Sequence, residues 1–72
     1  MNEGYKVSIT KIGRYGRPQN YNMGYPLTVD ALCAAEQEFE ERKKEPGVLK
    51  LQLLRYDSVS VRVLRNWEAK NA

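Results

Sequence analysis

Arg14, Tyr15 and Arg17 are the residues of this chain best suited to do chemistry, and that chemistry is recognition. They lie in the run K-I-G-R-Y-G-R-P-Q-N-Y-N-M-G-Y over residues 11–25, which holds three basic residues, three tyrosines, three glycines and no carboxylate. A guanidinium meets phosphate or carboxylate oxygens as a rigid fork, and a tyrosine ring offers a face on which a base can stack. The same two residue types dominate protein–protein contacts. Gly13, Gly16 and Pro18 rule out a helix here and predict a turn or extended loop that presents Arg14, Tyr15 and Arg17. Lys11, Lys50 and Arg62 join these three as the candidate partner-binding set.

Catalytic chemistry finds little material. The chain has no histidine, so Ser8, Ser58 and Ser60 have no imidazole base. The lone Cys33 cannot form an internal disulfide, and no Cys or His spacing suits zinc. No basic residue adjoins Cys33 in sequence to lower its pKa, so it reads as a small core or flank residue. Glu36 borders an apolar stripe, but a single carboxylate has no second group to work with. The G-R-Y-G-R-P segment lacks the spacing and the lysine of a phosphate-binding loop. The expectation is a protein that is not an enzyme and needs no metal or cofactor.

The elements that would position the candidate residues follow from periodicity. Tyr5, Val7 and Ile9 alternate with Lys6, Ser8 and Thr10, the pattern of a half-buried strand. Tyr21, Met23 and Tyr25 alternate with Asn20, Asn22 and Gly24 and suggest a second strand, ended by Pro26, whose Tyr21 and Tyr25 roof the core. Thr28 is a plausible helix N-cap, with Leu27 and Leu32 spaced as a hydrophobic staple. Leu32, Ala35 and Phe39 share one face of that helix, flanked by Val29 and Ala31. Glu38–Arg42 and Glu40–Lys44 are spaced as ion pairs, and Pro46-Gly47 stops the helix. Leu49, Leu51 and Leu53 form the apolar row of a third strand, and Val59, Val61 and Val63 that of a fourth. A loop of Tyr56, Asp57 and Ser58 would pair Leu53 with Val61 and Leu51 with Val63, keeping both rows on one face. Trp67 shares that parity and would cap the core, with residues 68–72 frayed.

The predicted fold is therefore α+β: one domain over residues 1–72, with a three- or four-stranded antiparallel sheet in the order β-β-α-β-β and one helix on one face. Alternation then assigns Lys6, Ser8, Thr10, Asn20, Asn22, Lys50, Gln52, Ser60 and Arg62 to the uncovered face, with Ile12, Leu54 and Leu64 as apolar spots. That face would be basic and free of carboxylates. The net charge of +3 divides as +3 over residues 1–25, −3 over residues 26–45 and +3 over residues 46–72, so the acid is concentrated on the helix. No apolar run approaches the roughly 20 residues of a membrane span. The first residues have no apolar signal-like core, and the single cysteine fits a reducing cytoplasm.

The layout strand, glycine-rich turn, strand, then L-T-V-D-A-L-C-A-A-E-Q, then two strands ending near Trp67, resembles small bacteriophage accessory proteins, including some type I anti-CRISPR proteins. That resemblance implies a ββαββ-like fold and a host-directed inhibitor or modulator working in the host cytoplasm. It transfers no site residue. Three functions fit the residues: a non-catalytic protein that binds a protein or ribonucleoprotein complex, a nucleic-acid-binding module, and a homodimer joined through sheets or edges with Ile12, Leu54 and Leu64 in contact.

Overall fold

The computed structural model describes residues 3–69. Its elements are β1 (Gly4–Ile12), β2 (Pro18–Tyr25), α1 (Val29–Arg42), β3 (Val48–Tyr56) and β4 (Val61–Glu68). The four strands make one antiparallel sheet in the order β2-β1-β3-β4, with the single helix on one side. The α+β architecture expected from periodicity is the one the chain adopts, and residues 18–25 form a full strand.

The β1–β2 hairpin closes tightly. The Gly16 N–H donates to the Gly13 carbonyl at 3.1 Å, and the Gly13 N–H donates to the Arg17 carbonyl at 2.7 Å. Gly16 has φ 76°, a left-handed value that favours glycine, as expected for a three-residue hairpin loop. Residues 14–16 thus form the tip of a hydrogen-bonded hairpin.

Helix α1 starts where the sequence places it. The Thr28 hydroxyl accepts from the Ala31 N–H at 3.1 Å, which satisfies one otherwise orphaned donor. Ala31, Ala35 and Phe39 are its buried residues, with Leu32 packed beside them. Val29 and Cys33 face solvent, so the apolar stripe is narrower than the spacing suggests. Arg42 pairs with Glu38 as expected, but Glu40 pairs with Lys43 at 3.2 Å rather than with Lys44. The regular helix ends at Arg42, and tighter turns carry the chain to Gly47.

The core lies between α1 and the two central strands. Val7 and Ile9 of β1 stand opposite Leu53 and Leu51 of β3. Phe39 and Ala35 close over them, and all are nearly or fully removed from water. Tyr25 and Trp67 pack at the margins, as expected. Glu68 still belongs to β4 and the Ala69 N–H donates to the Leu49 carbonyl at 2.9 Å, where the sequence suggests fraying. Residues 70–72 lie outside the described residues.

Two bulges correct the expected register. The first falls where β3 meets β1: Thr10 stands opposite Lys50, but Lys11 stands opposite Val48. Leu49 is the extra residue and is 37% exposed, while Val48 enters the core in its place. The second falls between Leu53 and Leu54 on β3, where Leu64 of β4 is extra. Trp67 and Arg65 face Leu51 and Leu53, but beyond the bulge Val63 faces Leu54 and Val61 faces Tyr56. Opposed residues in an antiparallel pair share a side. Val61 and Val63 therefore lie on the uncovered face, 65% and 49% exposed, and not in the core. Val59 is 89% exposed in the connecting loop. The loop itself spans 57–60 because the Asp57 carboxylate accepts from both the Val59 and Ser60 N–H groups at 2.8 Å.

Candidate functional site

The expected contact residues do not converge on one surface. Arg14, Tyr15 and Arg17 project from the hairpin tip, with Tyr15 86% exposed and neither arginine in an ion pair among the described residues. Lys11 is drawn to the helix side, where its Nζ donates to Glu45 at 3.0 Å. Lys50 remains on the uncovered face but lies 3.9 Å from the Glu68 carboxylate. Arg62 is moved by the β4 bulge. It stands opposite Arg55, on the side of the sheet that carries the helix and at the end remote from the hairpin tip. The uncovered face is therefore neither as basic as expected nor free of carboxylate.

Lys11 and Glu45 form a strap between β1 and the segment after α1. Arg42 also donates to Glu45, at 2.9 Å, and bonds Glu38. The Lys11 ammonium, then the Arg42 guanidinium, hold the Glu45 carboxyl below its ordinary range. Glu38, through its hydrogen bond, raises the Arg42 guanidinium further. The Asp57 carboxyl is lowered too, by the Ser60 and Val59 N–H groups. A carboxyl whose folded pKa lies below its unfolded pKa contributes stability above the unfolded value and loses it as pH falls through the folded one. Urea midpoints should therefore drop below about pH 4, the ordinary carboxylate range. Combining Glu45→Gln with Asp57→Asn should flatten that profile, and an equally steep acid loss in the double variant would show these two groups are not responsible.

An open depression of about 460 Å³ lies beside the strap, lined by Ile9, Lys11, Tyr21, Asn22, Met23 and Arg42. Its two cations are already paired with Glu45 and Glu38. Tyr21 is 48% exposed here and its hydroxyl donates to Gln19 at 2.6 Å, so Tyr21 does not roof the core. Among the described residues no cluster of His, Cys, Asp or Glu suits a metal ion. No helix among the described residues is long and apolar enough to cross a membrane.

The uncovered face is better organised than composition suggests. At its middle, the Asn20 amide donates to Ser8 and Thr10, both at 3.1 Å, and the Gln52 amide donates to Asn66 at 3.2 Å. Beyond them lie Leu54, Tyr56, Val61 and Val63, brought together by the register past the β4 bulge. The Lys6 ammonium sits 5.5 Å from the centre of the Tyr56 ring. Tyr56, Val61 and Val63 were not assigned to this face from sequence. The available signal was Trp67: a β4 that places both Trp67 and Val63 in the core needs an unbroken strand, and the Asp57 turn forbids that phase. No family model matches the chain, and neither the curated proteins nor the solved structures yield a match.

Proposed function

We propose that this chain is a non-catalytic binding protein that holds a protein or ribonucleoprotein partner against the uncovered face of its sheet. One observation supports this most: Leu54, Tyr56, Val61 and Val63 form an apolar group on a face that no element among the described residues covers. Contiguous apolar surface rimmed by polar groups is characteristic of interaction sites. Here the rim is the amide and hydroxyl row, and Tyr56 supplies a large amphipathic side chain of the type that anchors interfaces. The limited free positive charge favours a protein contact over a bare nucleic acid, since Lys6 leans on Tyr56 and Lys50 is offset by Glu68. Within this reading, the layout supports a phage-type modulator of a host complex acting in the host cytoplasm.

The hairpin tip supports a second reading. Tyr15, exposed between two arginines without ion pairs among the described residues, suits stacking on a base while the guanidiniums meet phosphates. A tagged pull-down from source cells, with and without nuclease, separates the two. Val61→Lys with Val63→Lys should cut capture about tenfold, since a central apolar contact is worth on the order of 1–2 kcal/mol. Thermal stability should change little, because both side chains are already about half or more exposed. Arg14→Glu with Arg17→Glu should leave nuclease-resistant capture intact. The opposite pattern, with capture lost on nuclease treatment, would replace the face with the tip.

A further inference from the structure

The outer edge of β2 carries an inference independent of the uncovered face. Residues in an antiparallel ladder alternate between backbone groups that bond the neighbour and groups that point away. The bond from the Gly13 N–H to Arg17 sets the phase, and the β1–β2 register runs unbroken from Ile12–Pro18 to Tyr5–Tyr25. Gln19, Tyr21, Met23 and Tyr25 thus turn their backbone groups toward β1. Asn20, Asn22 and Gly24 turn theirs outward, where β2 has no neighbouring strand among the described residues. The donation from the Ile12 N–H to Gly47, on the β3 side, agrees with this phase.

The outward window is bounded and symmetric. Pro18 and Pro26 occupy the next outward positions at its two ends, and neither has an N–H. Both lie the same distance in sequence from Asn22. A two-fold axis through Asn22 therefore sets Asn22 against its own copy, Asn20 against Gly24, Tyr21 against Met23, and the prolines against each other. Every outward N–H within the window then finds a carbonyl, and pairing stops at the prolines. Opposed residues share a side, so the two depressions floored by Tyr21 and Met23 meet on the helix side, with ring against thioether.

Charge identifies the occupant. A two-fold places each charge near its copy, which is unfavourable for like charges in opposed strands. β2 is the one strand without any charge: β1 carries Lys6 and Lys11, β3 carries Lys50 and Arg55, and β4 carries Arg62, Arg65 and Glu68. The other edge, β4, is also broken by its bulge, a common protection against pairing. We infer that two copies of this chain associate through β2, antiparallel about Asn22, into one continuous eight-stranded sheet. The contact is unlike the dimer expected from Ile12, Leu54 and Leu64.

Sedimentation equilibrium from about 10 μM to 1 mM tests this, because an interface this small belongs to the weak class. The chain should pass from monomer to dimer across that range. Asn22→Lys and Asn22→Asp should each weaken association about tenfold or more at low salt, with unchanged far-UV circular dichroism. An equimolar mixture of the two variants should recover the dimer, an outcome that altered folding would not produce. A chain that stays monomeric to about 1 mM overturns the inference. Dimers indifferent to both substitutions overturn it too, and would place self-association on another face.

Discussion

Phe39→Ala should remove a large part of the chain's stability, about 3–5 kcal/mol, and bring its unfolding midpoint sharply down. Phe39 is 2% exposed and is the largest of the fully buried side chains. It comes from α1 and fills the space over Val7, Ile9, Leu51 and Leu53, while the Lys43 ammonium lies 5.2 Å from its ring centre. Truncating a buried phenylalanine costs about 3–5 kcal/mol in lost transfer energy and residual cavity. A domain of 72 residues has roughly 4–11 kcal/mol in total at 0.05–0.15 kcal/mol per residue. The loss thus takes about a quarter of the stability at one extreme and exceeds all of it at the other. Trp67 packs against the same core, so its fluorescence during urea titration reports the collapse directly. Val59→Ala, at an 89% exposed position, is the matched control and should not move the midpoint. A cooperative Phe39→Ala transition near the parent midpoint would mean the helix is not held by this face.

Gly4→Ala should destabilise the fold, although a general rule predicts a gain. Gly4 does not have positive φ, so alanine suits its backbone and would ordinarily stabilise by about 0.4–1 kcal/mol through the unfolded chain. A Cβ there would stand 2.4 Å from the Tyr25 carbonyl oxygen and 3.3 Å from the Tyr56 hydroxyl. The first contact is backbone and cannot swing aside. Overpacking of this kind costs about 1–3 kcal/mol, so the clash outweighs the entropic gain. A fall in Tm of several degrees is expected, at about 4–8 °C per kcal/mol for a domain of this size. Gly24→Ala meets nothing within 4 Å and also lacks positive φ, so it should be neutral or slightly stabilising. Equal behaviour of the two variants would show that the start of β1 yields at no cost.

These two sites differ in how far the sequence announces them. Phe39 lies on a helical stripe whose cap at Thr28 and staple at Leu27 and Leu32 are local signals. Val7 and Ile9 likewise follow from simple alternation. Gly4 carries no such mark, because its role depends on where Tyr25 returns beside it. The phase of β4 was hard to read for a related reason. Val59, Val61 and Val63 alternate equally well on either face, and a bulge reverses the assignment without changing the pattern. That one residue moved Val61 and Val63 out of the expected core and carried Arg62 off the expected contact face. The candidate site suffered most from long-range pairing: Lys11 looked available until the fold brought Glu45 to it from 34 residues away. Arg14, Tyr15 and Arg17 were legible because glycine and proline confine them to a hairpin tip whatever the rest of the chain does.

The strand order β2-β1-β3-β4 also bears on how the chain is made. Its two hairpins are local in sequence, but the ladder that joins them, β1 against β3, closes only after β2 and α1 have been laid down. A nascent chain leaving the ribosome therefore holds Val7 and Ile9 without their partners until Leu51 and Leu53 emerge. Non-local pairing of this kind slows folding, because loop-closure entropy is spent before contacts repay it. During synthesis the unfinished sheet presents an apolar face and an uncharged β2 edge together, and that interval is when the chain is most open to aggregation or to capture by chaperones.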